Sequence, residues 1–104
     1  MLYEGAIRFV GDAREAIRRG DVVARTNATR RALDIVTELQ NTLNLKDGGE
    51  IASELDRLYS YMTTRLLDVT RGDAVAADEI AKLLSTLRDG FSQAGTPGVN
   101  AQAR

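Results

Sequence analysis

Cysteine, histidine and tryptophan are all missing from this chain of 104 residues, and proline appears once. Without cysteine there is no disulfide framework, no thiolate nucleophile and no cysteine-ligated zinc. Without histidine the commonest general base, the commonest transition-metal ligand and the usual charge switch near neutral pH are absent as well. Aromatic residues make up only 5% of the chain, and no apolar run reaches the roughly 20 residues that a membrane-spanning helix needs. Met1 leads directly into an amphipathic pattern rather than a signal peptide, so the sequence predicts a protein without membrane insertion, and in a bacterium a cytoplasmic one.

What is present reads as helix throughout. Apolar residues recur at three- and four-residue spacing in four segments, and no segment alternates as a strand would. The first stripe is Leu2, Ala6, Phe9, Ala13 and Ala16, beside Tyr3, Val10 and Ile17; the second is Ala28, Ala32, Ile35 and Leu39, flanked by Leu33, Val36 and Leu43. The third is Ile51, Leu55, Leu58, Met62, Leu66 and Val69, and the fourth is Ala76, Ile80, Leu83, Leu87 and Phe91, widened by Leu84. Stripes this broad suit helices packed side by side. The prediction is an all-α, antiparallel (up-down) four-helix bundle with helices over about 1–19, 22–43, 50–71 and 74–93. Residues 1–93 form one domain, and 94–104, broken by Gly95-Thr96-Pro97-Gly98, are expected to be a disordered tail.

Punctuation supports the same layout. Arg19-Gly20-Asp21 and Arg71-Gly72-Asp73 each offer a left-handed glycine stop followed by an aspartate able to cap the next helix. Both spell Arg-Gly-Asp, and hairpin chemistry explains the repetition better than a cell-adhesion signal, which would need an exposed extracellular loop. Between the second and third helices, Asp47 with Glu50 reads as a variant of the capping box.

Seven arginines against four acids up to Arg31 give that part a balance of +3, and the remainder compensates at -4. Acids interleave with the arginines at helical spacing and no aromatics flank them to stack bases, so a solvated helix face is predicted and no nucleic-acid partner. An enzyme acting on a small dianion would need cations on the apolar stripes. Arg14, Arg18, Arg25 and Arg30 fall off them, and only Arg8 and Arg65 come near an edge. A carboxylate metal site of the helical-bundle kind needs a Glu-x-x-His pair, which a chain without histidine does not possess. The pairs Glu54 with Asp56 and Asp78 with Glu79 read as solvent-facing. No catalysis, cofactor or metal is expected.

Tyr3, Tyr59, Tyr61 and Met62 admit two readings: rings packed with hydroxyls wet, or a groove for an apolar peptide, since tyrosine favours interfaces and methionine adapts to varied partners. Tyr59 and Tyr61 lie on different flanks of one helix, so both cannot be fully buried in one core. Thr26, Ala28, Thr29 and Ala32 would let an incoming helix come close, or equally would serve a tight bundle.

Three stretches, Leu2-Tyr3-Glu4-Gly5-Ala6-Ile7-Arg8-Phe9, Gly48-Gly49-Glu50-Ile51-Ala52 and Leu58-Tyr59-Ser60-Tyr61-Met62, resemble the bacterial flagellar secretion chaperones in order and spacing. The resemblance continues through Asn27, Ala32-Leu33-Asp34-Ile35, Glu38-Leu39, Leu43-Asn44 and Leu83-Leu84-Ser85-Thr86-Leu87-Arg88. It implies a bundle that binds the disordered carboxyl-terminal segment of flagellin, prevents premature polymerisation and delivers the cargo to an export-gate protein of the flagellar type III secretion system. It favours the groove reading, with Tyr3, Ile35, Leu39, Tyr59, Tyr61 and Met62 as groove residues and Asn27 bonding to cargo backbone. A helical adaptor for a different amphipathic partner is the alternative. The chain departs from the family in having Phe91 where a tryptophan is common, and in beginning at Met1, where many members have an internal methionine. With the family's upstream segment absent, self-association or exchange of a helix between protomers is expected.

Overall fold

Two left-handed glycines set the fold's geometry. Gly20 has φ of 74° and Gly72 has φ of 100°, a region that L side chains enter only at a cost of about 1–2 kcal/mol. At Gly20 the chain closes a Schellman motif: the Gly20 N–H donates to the Ile17 carbonyl (3.1 Å) and the Asp21 N–H to the Ala16 carbonyl (2.9 Å). The Asp21 carboxylate then accepts from the Ala24 N–H at 3.0 Å, capping the next helix. The second turn repeats the pattern, with Gly72 N–H to Val69 carbonyl at 2.9 Å, Asp73 N–H to Asp68 carbonyl at 3.0 Å and Ala76 N–H to Asp73 Oδ1 at 3.1 Å. Each aspartate finishes one helix with its backbone and starts the next with its side chain. The Arg-Gly-Asp repetition is this hairpin chemistry.

The computed structural model describes residues 2–43 and 48–94, and for 91–94 the backbone course alone. Four helices result: α1 (Leu2–Arg19), α2 (Val22–Asn41), α3 (Gly49–Thr70) and α4 (Ala74–Ala94). α2 ends two residues earlier than its periodicity predicts. There Thr42 takes φ -89° and ψ -2°, and its hydroxyl donates to the Leu39 carbonyl at 2.8 Å. Asp47 lies outside the described residues, as does the 95–104 stretch of the expected tail, and Gly48 holds the N-cap of α3 with no side chain to bond.

α1 packs between α2 and α4, and α3 closes the bundle between the same two, so α1 lies diagonal to α3. The seams are unequal. α1 and α2 meet through small residues, Ala6, Ala13 and Ala16 facing Ala28 and Ala32, all buried. A Cβ on Gly5 would stand 3.2 Å from Ile35 Cδ1, so the Ile35 side chain packs directly on the α1 backbone there. Ala28, Thr29 and Ala32 are therefore enclosed rather than open to an incoming helix, and only Thr26 of that set is exposed. α3 and α4 supply the bulk: Tyr59, Met62, Leu66, Ile80 and Leu84 are all essentially inaccessible. Burying each such side chain contributes about 1.5–3 kcal/mol.

The stripes shift by one position in several places. Val10, Val36, Tyr59 and Leu84 are fully buried, while Leu2 and Ile51, at helix starts, are about half exposed and Phe9, Ile35, Leu39, Leu58, Leu83 and Leu87 line the core's margin. A stripe marks a helix's inner side, but which member points to the centre depends on where the two flanking helices sit. Arg25 is a correction of the same kind. It falls one turn before Thr29 on the inner face of α2, is half-buried and lies over the second turn, its Nη1 3.3 Å from where a Cβ on Gly72 would be. Its Nε is enclosed with no hydrogen-bond partner among the described residues.

Candidate functional site

The tyrosines expected to form one groove occupy two separate places. At the end of the bundle away from the tight turns, the hydroxyls of Tyr3 and Tyr59 lie 2.5 Å apart, one donating to the other, which ties α1 to the diagonal helix α3. Tyr59 is 2% exposed. Burial, followed by the bond to Tyr3, pushes its phenol well above the usual tyrosine value, and burial raises that of Tyr3 also. Ile35 and Leu39 border this place on α2, partly buried and packed on the core. Nearby, the Gln40 amide donates to Asp56 Oδ1 and to Ser60 Oγ, each at 2.9 Å, joining α2 to α3.

The second place is the α3–α4 seam. Tyr61 is 44% exposed. Its hydroxyl donates to Glu79 Oε2 at 2.6 Å, and Arg65 Nε donates to Glu79 Oε1 at 2.8 Å. Arg65 also donates from Nη1 to Asp68 Oδ2 at 2.8 Å and lies 3.8 Å from Asp73, the α4 cap. The Tyr61 hydroxyl, ahead of the Arg65 guanidinium, holds the Glu79 carboxyl below the ordinary glutamate range. The same carboxylate raises the Tyr61 phenol.

Met62 and Tyr59 face inward and present no surface to a partner in this conformation, so their part in any groove is to support its floor. Asn27 is exposed near the tight turns, remote along α2 from Leu39. The sequence reading missed Glu79 and Asp56, placing both in solvent-facing pairs. Each is half-buried and bridges two helices. Tyr61 and Arg65, one turn apart on α3, were a signal that something could bind both, but its identity needed the neighbouring helix.

Outside these networks the surface carries apolar side chains at Val22, Val23, Leu67 and Val75, each more than half exposed. Phe9 adds an aromatic ring at the α1–α2 margin with the Arg8 and Arg31 guanidinium carbons 5.2 and 5.7 Å from its centre. No group of three or more metal-ligating side chains comes together among the described residues, and none of their helices is long and apolar enough to cross a membrane.

A helical bundle that gathers no metal-ligating cluster among the described residues and exposes large apolar side chains at Val22, Val23, Leu67 and Val75, with Tyr61 also on the surface, fits the class that binds other proteins. Residues 1–97 match the family described as flagellar protein FliS. The flagellar secretion chaperone FliS of Salmonella typhimurium is 40% identical over 95 residues, covering 89% of this chain and 70% of that protein. The flagellar secretion chaperone FliSB of Pseudomonas aeruginosa is 33% identical over 92 residues, 88% of this chain and 73% of that protein. That of Vibrio cholerae is 28% identical over 94 residues, 89% and 69% respectively. The chain belongs to the FliS family of flagellar secretion chaperones, which are chaperones and not enzymes.

Proposed function

We propose that this chaperone acts in the cytoplasm on flagellin, binding its disordered carboxyl-terminal segment, preventing premature polymerisation and passing it to an export-gate protein of the flagellar secretion system. The observation that carries the reading is the match to flagellar secretion chaperones along residues 1–97. The exposed apolar and aromatic side chains described above support it. A cargo that folds as it binds gives up ordering entropy, so a long apolar surface is needed for useful affinity. Tyr3, Ile35, Leu39 and Tyr61 contact the cargo in this reading, Asn27 bonds to its backbone, and Tyr59 and Met62 hold the contacting residues up from beneath.

The test is titration calorimetry at several temperatures with a peptide of roughly the last 40 residues of the cognate flagellin, together with circular dichroism. A one-to-one complex, a negative heat-capacity change and a gain of peptide helicity are expected. Absence of heat and of helicity gain would sink the reading.

A further inference from the structure

We propose that Glu79 is a positioning residue that holds the Tyr61 ring in place across the α3–α4 seam for the cargo. This rests on the reading that Tyr61 contacts flagellin. An exposed tyrosine on a helix swings about two torsions, and fixing it on binding costs affinity. Tyr61 is not left to swing. Its hydroxyl reaches from α3 to Glu79 on α4 (2.6 Å), and the second Glu79 oxygen is taken by Arg65 Nε (2.8 Å). Arg65 is itself fixed by Asp68 at 2.8 Å. Both carboxylate oxygens, the hydroxyl and the guanidinium are thus mutually committed, yet 44% of Tyr61 remains accessible. The lowered Glu79 carboxyl and raised Tyr61 phenol agree with a charged acceptor and a neutral donor at neutral pH. A ring tethered at its far end offers its face to an incoming apolar side chain in one orientation.

The experiment measures affinity for the flagellin carboxyl-terminal peptide in the unaltered chain, Tyr61→Phe, Glu79→Ala and the double variant. Tyr61→Phe keeps the ring and loses the tether, and should weaken binding about three- to tenfold; Glu79→Ala should do the same. The double variant should bind no more weakly than the weaker single one, because both remove one tether. Tyr61→Ala, which removes the ring itself, should lose more, at least about tenfold. Ultraviolet titration should show one phenol ionising at lower pH in Glu79→Ala, which reports loss of the tether, while the affinity series separates positioning of the ring from a merely structural role. Glu79→Ala binding like the unaltered chain, or losses that add in the double variant, would overturn the proposal and leave the cargo reading standing. Failure of the unaltered chain to bind the peptide would overturn both. Should Glu79→Ala fold poorly, Tyr61→Phe set against Tyr61→Ala decides: equal affinity for Tyr61→Phe and the unaltered chain rejects the tether.

Discussion

A tyrosine hydroxyl enclosed by helices must be hydrogen-bonded or lose its hydration without return. Tyr59 meets that demand through Tyr3 on the diagonal helix, and this makes the two residues unequal to their separate substitution. Tyr3→Phe strands the Tyr59 hydroxyl in a site that is 2% exposed, and should cost about 1–3 kcal/mol in urea unfolding. Adding Tyr59→Phe removes the stranded group, so the double variant should recover most of the loss. A double variant as unstable as the two singles combined would show that the rings, not the hydroxyl pair, carry the effect. Tyr59 and Tyr61 on opposite flanks of α3 were legible from spacing alone, as was the impossibility of burying both. That Tyr3 would reach Tyr59, and Glu79 reach Tyr61, was not, because each partner stands on another helix, 56 and 18 residues away in the chain.

At the scale of the element, the tight turns are the most sequence-determined parts of the protein. Gly20 and Gly72 share one backbone motif and one cap, yet differ in what surrounds them. Nothing stands within 4 Å of a Cβ added at Gly20, whereas at Gly72 the Arg25 guanidinium is already there at 3.3 Å. Gly20→Ala should therefore cost about 1–2 kcal/mol from the left-handed backbone alone. Gly72→Ala should cost more, since Arg25 has to move as well. Equal losses in urea unfolding would mean that Arg25 gives way freely. Helix existence and most ends were legible in the glycine and aspartate positions and the apolar period. The inner placement of Arg25 was missed because a charged residue was read as off the stripe, although its spacing to Ala28 and Ala32 puts it on the same face.

For the whole molecule, the absence of histidine and cysteine has a thermodynamic consequence. Glu15 beside Arg18 and Glu79 beside Tyr61 and Arg65 have folded-state pKa values below their ordinary ones. The stability they give is present above about pH 4.3 and is lost as pH falls through the lowered values. Tyr3 and Tyr59 have raised values, so their contribution is complete below about pH 10 and is lost as pH climbs toward the raised values. Melting temperature should be level from roughly pH 6 to 9 and decline on both sides, the alkaline decline weakening in the Tyr3→Phe, Tyr59→Phe double variant. A step between pH 6 and 8 would contradict this, as no side chain is available to make it. The sequence by itself determined the all-helical class, the four segments, the hairpin turns and the family, because all of these depend on neighbours within four residues or on collinear order. Only the tertiary structure decided that the α1–α2 seam is closed by small residues while α3 and α4 supply the large ones, and that the tyrosines divide between a buried diagonal tie and an exposed tethered ring. The reason is physical: periodicity states which side of a helix is apolar, but the angle at which two neighbours flank that side selects the residue at the centre and the polar group left at the rim to bridge across.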